Sequence, residues 1–255
     1  MVHGNPTWSY YYRKLISLLS ANYRVIALDH MGCGYSDKPQ KYPYILAQHI
    51  ENLEFLLSYL QVESYSLVVH DWGGAIGLGC GGKNPQAVEK IVVINSGAFP
   101  SSRIPFRISL CRIPLFGEVL VRLFNGFAWP ATFMAVEKKM EKDVAAAYLS
   151  PYNNWANRIA VHRFVKDIPM RKDHVSYGQL VEVEENLVHF VKRDTPFLLL
   201  WGGEDFCFND TFYDEWSRRF PHAEKHYFQG GGHYLLEDRF SEIAPIIGKF
   251  FTQDE

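Results

Sequence analysis

The residues best suited to covalent chemistry lie in the segment Val69-His70-Asp71-Trp72-Gly73-Gly74. An apolar run precedes Asp71 and a helical pattern follows it, so the segment has the context of a nucleophile elbow, a sharp strand-to-helix turn that projects one side chain above a sheet. An aspartate there is ionised near neutral pH and needs no general base for its first attack. It can displace a leaving group at a saturated carbon and form an ester with the protein. We therefore predict that Asp71 is a nucleophile.

An acid and a histidine that would serve this nucleophile follow it along the chain. Asp205 comes just after an apolar strand, and His233 lies in the glycine-rich segment Gly230-Gly-Gly-His233. The chain order nucleophile, acid, histidine is the one that accompanies a nucleophile elbow. Glu204 competes for the role of the acid, but the spacing favours Asp205. We predict that Asp205 orients His233, and that His233 can activate a water to attack the ester.

A second set of polar donors is predicted from His3-Gly4-Asn5-Pro6. A His-Gly turn after a strand brings one backbone N–H to an oxyanion site, and the residue after the nucleophile brings the other. These donors would belong to Asn5 and Trp72, whose side chains add an amide and an indole N–H. Together they could hold a halide or a carboxylate oxygen. Plain packing is the alternative for Trp72, and His3, His30 and His70 are interpreted as structural.

The elements that must position these residues alternate between strand and helix. Four short apolar runs predict buried strands at residues 23–28, 66–69, 90–94 and 197–201. Helical patterns cover residues 8–21, 44–60 and 73–84, and the chain ends with a helix, a strand and a helix at residues 210–220, 223–228 and 241–251. Such alternation is typical of a parallel sheet covered on both faces.

One long segment interrupts this alternation. Residues 99–190 have helical spacing, several prolines and many aromatic residues, but no convincing strand. We predict an α/β core formed by residues 1–98 and 191–255, with residues 99–190 inserted as a helical cap.

The amino-acid composition gives no support to several classes of function. Of the 255 residues 47% are hydrophobic and 21% charged, and the net charge of −2 gives no reason to expect nucleic acid or an anionic membrane surface as a partner. No run of about 18 apolar residues predicts a membrane span, and the N-terminus does not have the pattern of a signal peptide. The four cysteines form no C-x-x-C pair, so we expect reduced thiols, no metal site and a cytoplasmic protein. The sequence predicts no cofactor. The aromatic share of 15% suits either a bulky core or an apolar pocket.

Three motifs resemble the haloalkane dehalogenase branch of the α/β-hydrolases. They are the H-G-N-P turn, the segment from Asp29 to Pro39 and the H-D-W-G-G elbow. The resemblance covers essentially the whole chain and implies the α/β-hydrolase fold, a mostly parallel sheet flanked by helices with an inserted helical cap. Within that branch the chain resembles the β-lactone decarboxylases of bacterial long-chain olefin biosynthesis more closely. That likeness is carried by Asp29-His30 before Gly-Cys-Gly and by residues 151–155, 164–169 and 205–209.

The resemblance implies an activity, site residues and partners. In the decarboxylase family a disubstituted β-lactone is converted to a cis-alkene and carbon dioxide. The catalytic Asp, His and Asp carry over to Asp71, His233 and Asp205, and the polar pair to Asn5 and Trp72. The expected substrate is a hydrophobic small molecule, and a complex with other enzymes of the olefin pathway is also implied.

Several alternatives remain open from the sequence. The same residues would serve a haloalkane dehalogenase, with Asn5 and Trp72 around the halide. An epoxide hydrolase would need two cap phenols over the nucleophile, and sequence alone does not place Tyr148, Tyr152 or Tyr177. The resemblance also implies further strands before the His-Gly turn, so we expect N-terminal strands of the fold to be missing. A truncated inactive fragment or a binding scaffold is therefore the alternative from another functional class.

Overall fold

Parallel strands form the centre of the protein, as the sequence predicts. A computed structural model describes residues 1–252, and in it four parallel strands form one sheet in the order β1-β2-β3-β4. The strands are β1 (Tyr65–Asp71), β2 (Val88–Ser96), β3 (Phe197–Gly202) and β4 (Glu224–Phe228). All four carboxyl ends therefore lie at the same edge of the sheet, where ligands of open α/β sheets bind.

Twelve α-helical segments are present in residues 1–252. In chain order they are α1 (Arg13–Leu19), α2 (Leu46–Tyr59), α3 (Trp72–Lys83), α4 (Phe106–Leu110), α5 (Phe116–Glu118), α6 (Ala128–Met134), α7 (Lys142–Leu149), α8 (Ile159–Asp167), α9 (Tyr177–Lys192), α10 (Asp210–Arg219), α11 (Leu235–Asp238) and α12 (Phe240–Thr252). A π-helical turn, Val119–Leu123, continues α5. The described chain has no strand between β2 and β3, in agreement with the helical character predicted for residues 99–190.

The predicted strand at residues 23–28 is wrong. This segment lies extended but is not paired in the sheet. The edge of β1 that faces away from β2 is bridged by Val2, whose N–H donates to Val68 O and whose carbonyl accepts from His70 N. An apolar, β-branched sequence fits a strand only where a neighbouring backbone supplies the ladder of hydrogen bonds. Here the place beside β1 is taken by Val2.

Strands β1, β2 and β3 are buried on both faces, which explains their apolar runs, whereas β4 lies at the edge of the sheet and is only partly buried. Side chains alternate along β2, so that Val93 joins a cluster with helices α2, α3 and α9, whereas Val92 joins a cluster with α1 and α12. The two clusters fix the sheet between two helical layers and leave the carboxyl ends of the strands for the site.

Helix α3 is unusually rich in glycine, and its packing explains this composition. A Cβ atom at Gly77 would lie 2.8 Å from Val69 Cγ1, and one at Gly79 would lie 2.5 Å from Ile50 Cδ1. The helix is therefore wedged between β1 and α2. Glycine is unfavourable within a helix by roughly 0.5–1 kcal/mol relative to alanine, and close packing is what compensates.

The cap and the core meet along α9. A Cβ at Gly79 would also lie 3.0 Å from Val183, and one at Gly82 would lie 2.9 Å from Asn186, so α9 packs directly on α3. The last helix of the predicted cap thus covers a helix of the predicted core. The division at residues 98/99 and 190/191 stays a prediction.

The tightest of these contacts leads to a stability prediction. A Cβ at Gly73 would lie 1.9 Å from the carbonyl oxygen of Val2, a backbone atom that cannot rotate away. We expect Gly73→Ala to lower the free energy of unfolding by about 2–3 kcal/mol, measured by urea denaturation. The matched control is Gly178→Ala in α9, where a Cβ meets no atom within 4 Å. It should be neutral or stabilising by up to about 1 kcal/mol. Equal effects of the two substitutions would contradict the packing argument.

Candidate active site

Asp71 lies at the turn between β1 and α3. Its φ of 51° and ψ of −125° place it in a backbone conformation that is unfavourable for a residue with a side chain. The turn is held from the neighbouring strand, because the Ser96 hydroxyl donates to Asp71 O at 2.5 Å. The next residue begins α3, so the carboxylate lies beside the amino-terminal end of that helix. The sharp strand-to-helix turn predicted from the sequence is present.

Two backbone N–H groups are directed at the Asp71 carboxylate. The Asn5 N–H donates to Oδ2 at 2.6 Å, and the neighbouring Trp72 N–H also favours the charged form of the carboxylate. Burial raises the pKa of this carboxyl to about 6, because removal from water disfavours the charged form. The charge of His233 and the two N–H groups oppose that effect. Near neutral pH the group is therefore mostly ionised and poorly hydrated, as a carboxylate nucleophile should be.

His233 and Asp205 form a buried pair. His233 Nδ1 lies 2.8 Å from Asp205 Oδ2. The other carboxylate oxygen, Oδ1, accepts from the N–H groups of Cys207 at 2.6 Å and Phe208 at 3.1 Å. Burial alone would lower the pKa of His233, but the charge and hydrogen bond of Asp205 outweigh it, so this pKa lies above its ordinary value. The structure thus brings together the three residues that the sequence singled out, and in the predicted pairing of acid and histidine.

Asn95 completes the surroundings of Asp205, and the sequence analysis did not identify it. Its side-chain nitrogen donates to Asp205 Oδ2 at 2.8 Å, and its side-chain oxygen accepts from Gly202 N at 2.8 Å. This strand end offers no carboxylate, so the sequence analysis gave it no role. A signal was present for the backbone alone, because Asn adopts a positive φ more readily than most residues, and Asn95 has a φ of 37°.

Three histidines interpreted as structural hold the backbone of the site. His70 Nε2 donates to His233 O at 2.9 Å, which anchors the loop that carries the His233 imidazole. His3 Nδ1 donates to Gly4 O at 2.6 Å, and His30 both donates from Nε2 to His3 O at 2.9 Å and donates its N–H to His3 Nε2 at 3.0 Å. Burial lowers the pKa of all three, that of His3 to about 3, so the rings stay neutral. These bonds fix the turn that presents the Asn5 N–H.

The side chains of Asn5 and Trp72 both line the cavity above Asp71. The amide nitrogen of Asn5 donates to Val161 O at 3.1 Å, which ties the turn to α8 and uses one of its two hydrogens. The indole of Trp72 is half-buried and packs edge-on against Phe164, with ring centroids 5.5 Å apart. Packing thus accounts for part of the role of Trp72. Ligand binding by the two side chains stays a prediction.

The cavity has a volume of about 490 Å³ and a mostly apolar wall. Its floor holds Asp71 and His233, and its wall includes Phe99, Phe127 and Phe208. Sites for small apolar ligands commonly have such volumes and linings, with a few convergent polar groups. The arrangement can bring an apolar molecule against a buried carboxylate and exclude bulk water.

Asp205, Cys207 and His233 offer donor atoms within 4.8 Å of one another, a spacing that could accommodate a metal ion. However, both oxygens of Asp205 already accept two hydrogen bonds each, from Cys207 N, Phe208 N, Asn95 Nδ2 and His233 Nδ1. A cation would have to displace the bond to His233. The cluster suits orientation of the imidazole better than ligation, and the absence of a metal stays a prediction.

Comparison with known proteins places this geometry among relatives. A family profile described as alpha/beta hydrolase fold matches residues 1–240. Over its whole length the chain is 43% identical to a cis-3-alkyl-4-alkyloxetan-2-one decarboxylase of Shewanella oneidensis, covering 82% of that protein. It is 37% identical to a decarboxylase of the same name from Xanthomonas campestris pv. campestris, covering 88% of it. In structure it is similar to a putative ancestral haloalkane dehalogenase, with a TM-score of 0.89, 24% identity, and coverage of 98% of this chain and 89% of that one.

The pairing of His233 with Asp205 leads to a prediction that needs no activity assay. In Asp205→Asn the charge that raises the pKa of His233 is lost while burial remains, so we expect this pKa to fall by about one to three pH units. Titration of the imidazole by nuclear magnetic resonance measures it. Asp214→Asn, which removes an exposed carboxylate from α10, is the control and should leave the His233 titration unchanged. An unchanged His233 pKa in Asp205→Asn would contradict the pairing.

Proposed function

Because this chain belongs to the α/β-hydrolase fold family, we propose that it is a β-lactone decarboxylase with Asp71 as its nucleophile. The predicted fold family is confirmed by the match over residues 1–240, and the predicted resemblance by the two decarboxylases and the dehalogenase structure. The substrate would be an oxetan-2-one with alkyl chains at carbons 3 and 4, as in the names of those relatives. The products would be a cis-alkene and carbon dioxide.

The observation that carries the proposal is the position of the Asp71 carboxylate. It lies at the floor of an apolar cavity, accepts a hydrogen bond from the Asn5 N–H, and lies close enough to His233 for the two charges to attract. A serine at this turn would need its proton removed before attack, whereas a carboxylate needs only to be ionised and weakly hydrated. Burial supplies the second condition.

The first step of the proposed reaction is displacement at a saturated ring carbon. An Asp71 oxygen attacks carbon 4, the bond from carbon 4 to the ring oxygen breaks, and the electron pair of that bond leaves a free carboxylate on the substrate. An ester then joins Asp71 to carbon 4, with inversion at that carbon. Release of strain in the four-membered ring favours this step.

The second step removes carbon dioxide and restores the protein. The bond between carbon 3 and the substrate carboxylate breaks, its electron pair forms the double bond between carbons 3 and 4, and Asp71 departs as a carboxylate. Inversion followed by anti elimination keeps the alkyl chains of a cis-lactone on the same side of the alkene. No water is consumed and no redox partner is needed.

The polar groups around Asp71 have defined tasks in this scheme. Asn5 and Trp72 stabilise the carboxylate freed from the ring, as N–H donors stabilise the negative charge that develops on oxygen in oxyanion sites. His233, whose pKa is raised by Asp205, supplies positive charge next to Asp71 when the ester forms and when Asp71 leaves again. In this scheme His233 acts through charge and not as a base for water.

A haloalkane dehalogenase is the second candidate, favoured by the same three residues and by the likeness in fold. It would require His233 to activate water against the ester. The two decarboxylases, at 43% and 37% identity, support the first proposal more strongly. An epoxide hydrolase fits less well, because the hydroxyl of Tyr148 donates to Glu237 and that of Tyr152 to Thr7 O, both away from the carboxylate.

Incubation with a cis-3,4-dialkyl oxetan-2-one tests the proposal. We expect the protein to release the cis-alkene, detected by gas chromatography, and Asp71→Asn to lower the rate by more than about 10⁴-fold, since an amide is a far weaker nucleophile. Circular dichroism should show that the variant is folded. If the folded protein forms no alkene but releases halide from a haloalkane, the dehalogenase is correct. Alkene formation by Asp71→Asn at the unmodified rate would reject Asp71 as the nucleophile.

The pH dependence follows from the raised pKa of Asp71. Only the ionised carboxylate attacks, and its pKa is about 6, so kcat/KM should fall by about tenfold for each pH unit below that value and level off above it. A carboxylate with an ordinary pKa near 4 would keep full activity at pH 5. A rate that is independent of pH between 5 and 7 would therefore contradict the role of burial at Asp71.

A further inference from the structure

Residues 103–133, which we name the roof segment, expose an unusual amount of apolar surface. Of the 18 large hydrophobic side chains exposed within residues 1–252, nine belong to these 31 positions. They include Phe106, Leu115, Phe116, Leu123, Phe124 and Trp129. Monomeric proteins rarely leave large apolar patches in water, and such patches mark interaction surfaces.

The same segment forms part of the cavity wall. Ile108, Leu120, Phe127 and Met134, within it or directly after it, line the cavity above Asp71. The roof segment is thus mostly apolar on the side that faces the candidate active site, where Arg103 and Arg107 are its charged lining residues, and it is also apolar on the side that faces outward. A segment that served only to close the cavity would need the first of these surfaces and not the second.

Leu115 adds an independent observation. Its φ of 63° and ψ of −54° place it at the centre of a γ-turn, closed by the Phe116 N–H donating to Pro114 O at 2.7 Å, and this conformation is rare and strained for a residue with a side chain. Its side chain is 81% exposed, so no burial within the protein compensates for that conformation. Asparagine or glycine would be the ordinary choice at such a position. An apolar contact outside this chain would explain the leucine.

The charge of the roof segment indicates the kind of surface it contacts. The segment holds Arg103, Arg107, Arg112, Arg122 and one acid, Glu118, which gives +3, whereas the whole chain carries −2 and the remainder therefore −5. Arg122 is paired with Glu118 at 2.5 Å. Arg103 and Arg107 are exposed and form no ion pair within residues 1–252. The exposed apolar side chains are thus accompanied by unneutralised positive charge.

We propose that the roof segment binds the surface of an anionic phospholipid bilayer. Aromatic and leucine side chains would enter the boundary between headgroups and acyl chains, and Arg103 and Arg107 would meet the negative headgroups, the two contributions that hold proteins at membrane interfaces. No helix in residues 1–252 is both long and apolar enough to cross a bilayer. The attachment is therefore interfacial, and it places the cavity next to a phase in which apolar molecules dissolve.

A second copy of this chain fits the roof segment less well. In a two-fold symmetric contact the same patch lies on both partners. Such a contact would bring Arg103 and Arg107 of one copy towards those of the other, and the one acid of the segment, Glu118, is already paired with Arg122. The positive charge favours an anionic lipid surface instead. The inference concerns binding and stands whether or not the proposed decarboxylase activity is correct.

Sedimentation with lipid vesicles tests this inference. The protein is mixed with vesicles of phosphatidylcholine alone or with added phosphatidylglycerol, at low and high salt, and the bound fraction is measured. We expect binding to the anionic vesicles, weakened by salt. Leu115→Asn combined with Phe124→Ser should reduce affinity by at least about tenfold, because two large apolar side chains would no longer be buried in the membrane interface. Arg103→Gln combined with Arg107→Gln should remove the preference for anionic vesicles.

The matched control is Phe55→Ser combined with Tyr59→Ser on α2. These side chains are 73% and 75% exposed, similar to Phe124 at 68%, but lie outside the roof segment. Vesicle binding should be unchanged in this control, and thermal unfolding should show that every variant is folded. The proposal would be overturned if the unmodified protein did not bind anionic vesicles at low salt, or if the control lost as much binding as Leu115→Asn with Phe124→Ser. It would also be overturned if the protein bound no vesicles but self-associated in ultracentrifugation, and Leu115→Asn with Phe124→Ser abolished that self-association.

Discussion

The interaction on which the rest of the site depends is the one between a buried carboxylate, Asp71, and the few groups that stabilise its charge. Burial raises its pKa to about 6, and without the N–H groups of Asn5 and Trp72 and the charge of His233 the rise would be larger. The carboxylate is thus still ionised near neutral pH but has little water around it. The loss of water around the carboxylate makes its charge costly to bury, and the same loss of water makes the carboxylate reactive.

The need to stabilise this buried charge constrains parts of the chain that are distant in sequence. Val2 bridges β1, so the turn after it delivers the Asn5 N–H to the end of that strand. Ser96 holds the carbonyl of Asp71 from β2, and His70 holds the loop of His233. The glycines of α3 allow that helix to lie close to β1, so its amino-terminal end stays beside the carboxylate. The packing of the core therefore determines which groups lie close enough to stabilise the charge of Asp71.

Sequence was informative where chemistry is local and less so where it depends on distant partners. The elbow at Asp71, the order of Asp205 and His233, and the alternation of strands and helices were all visible as short patterns. The bond of Asn95 to Asp205 was not, since an Asn at a strand end can indicate a left-handed backbone but not which carboxylate its amide will contact. The apolar run at residues 23–28 was misassigned because a strand requires a neighbouring backbone. Cytoplasmic location, a complex with other olefin-pathway enzymes and N-terminal strands missing from this chain stay predictions.

Rapid quenching of the first turnover, followed by mass spectrometry of the intact protein and of its peptides, tests the central claim most directly. Attack on carbon 4 adds the whole mass of the lactone to the protein, and the peptide that contains Asp71 should carry it. The adduct should disappear as alkene forms and should be absent in Asp71→Asn. Alkene formation with no adduct on that peptide at any time, or an adduct on another residue that turns over at the full rate, would contradict the assignment of Asp71 as the nucleophile.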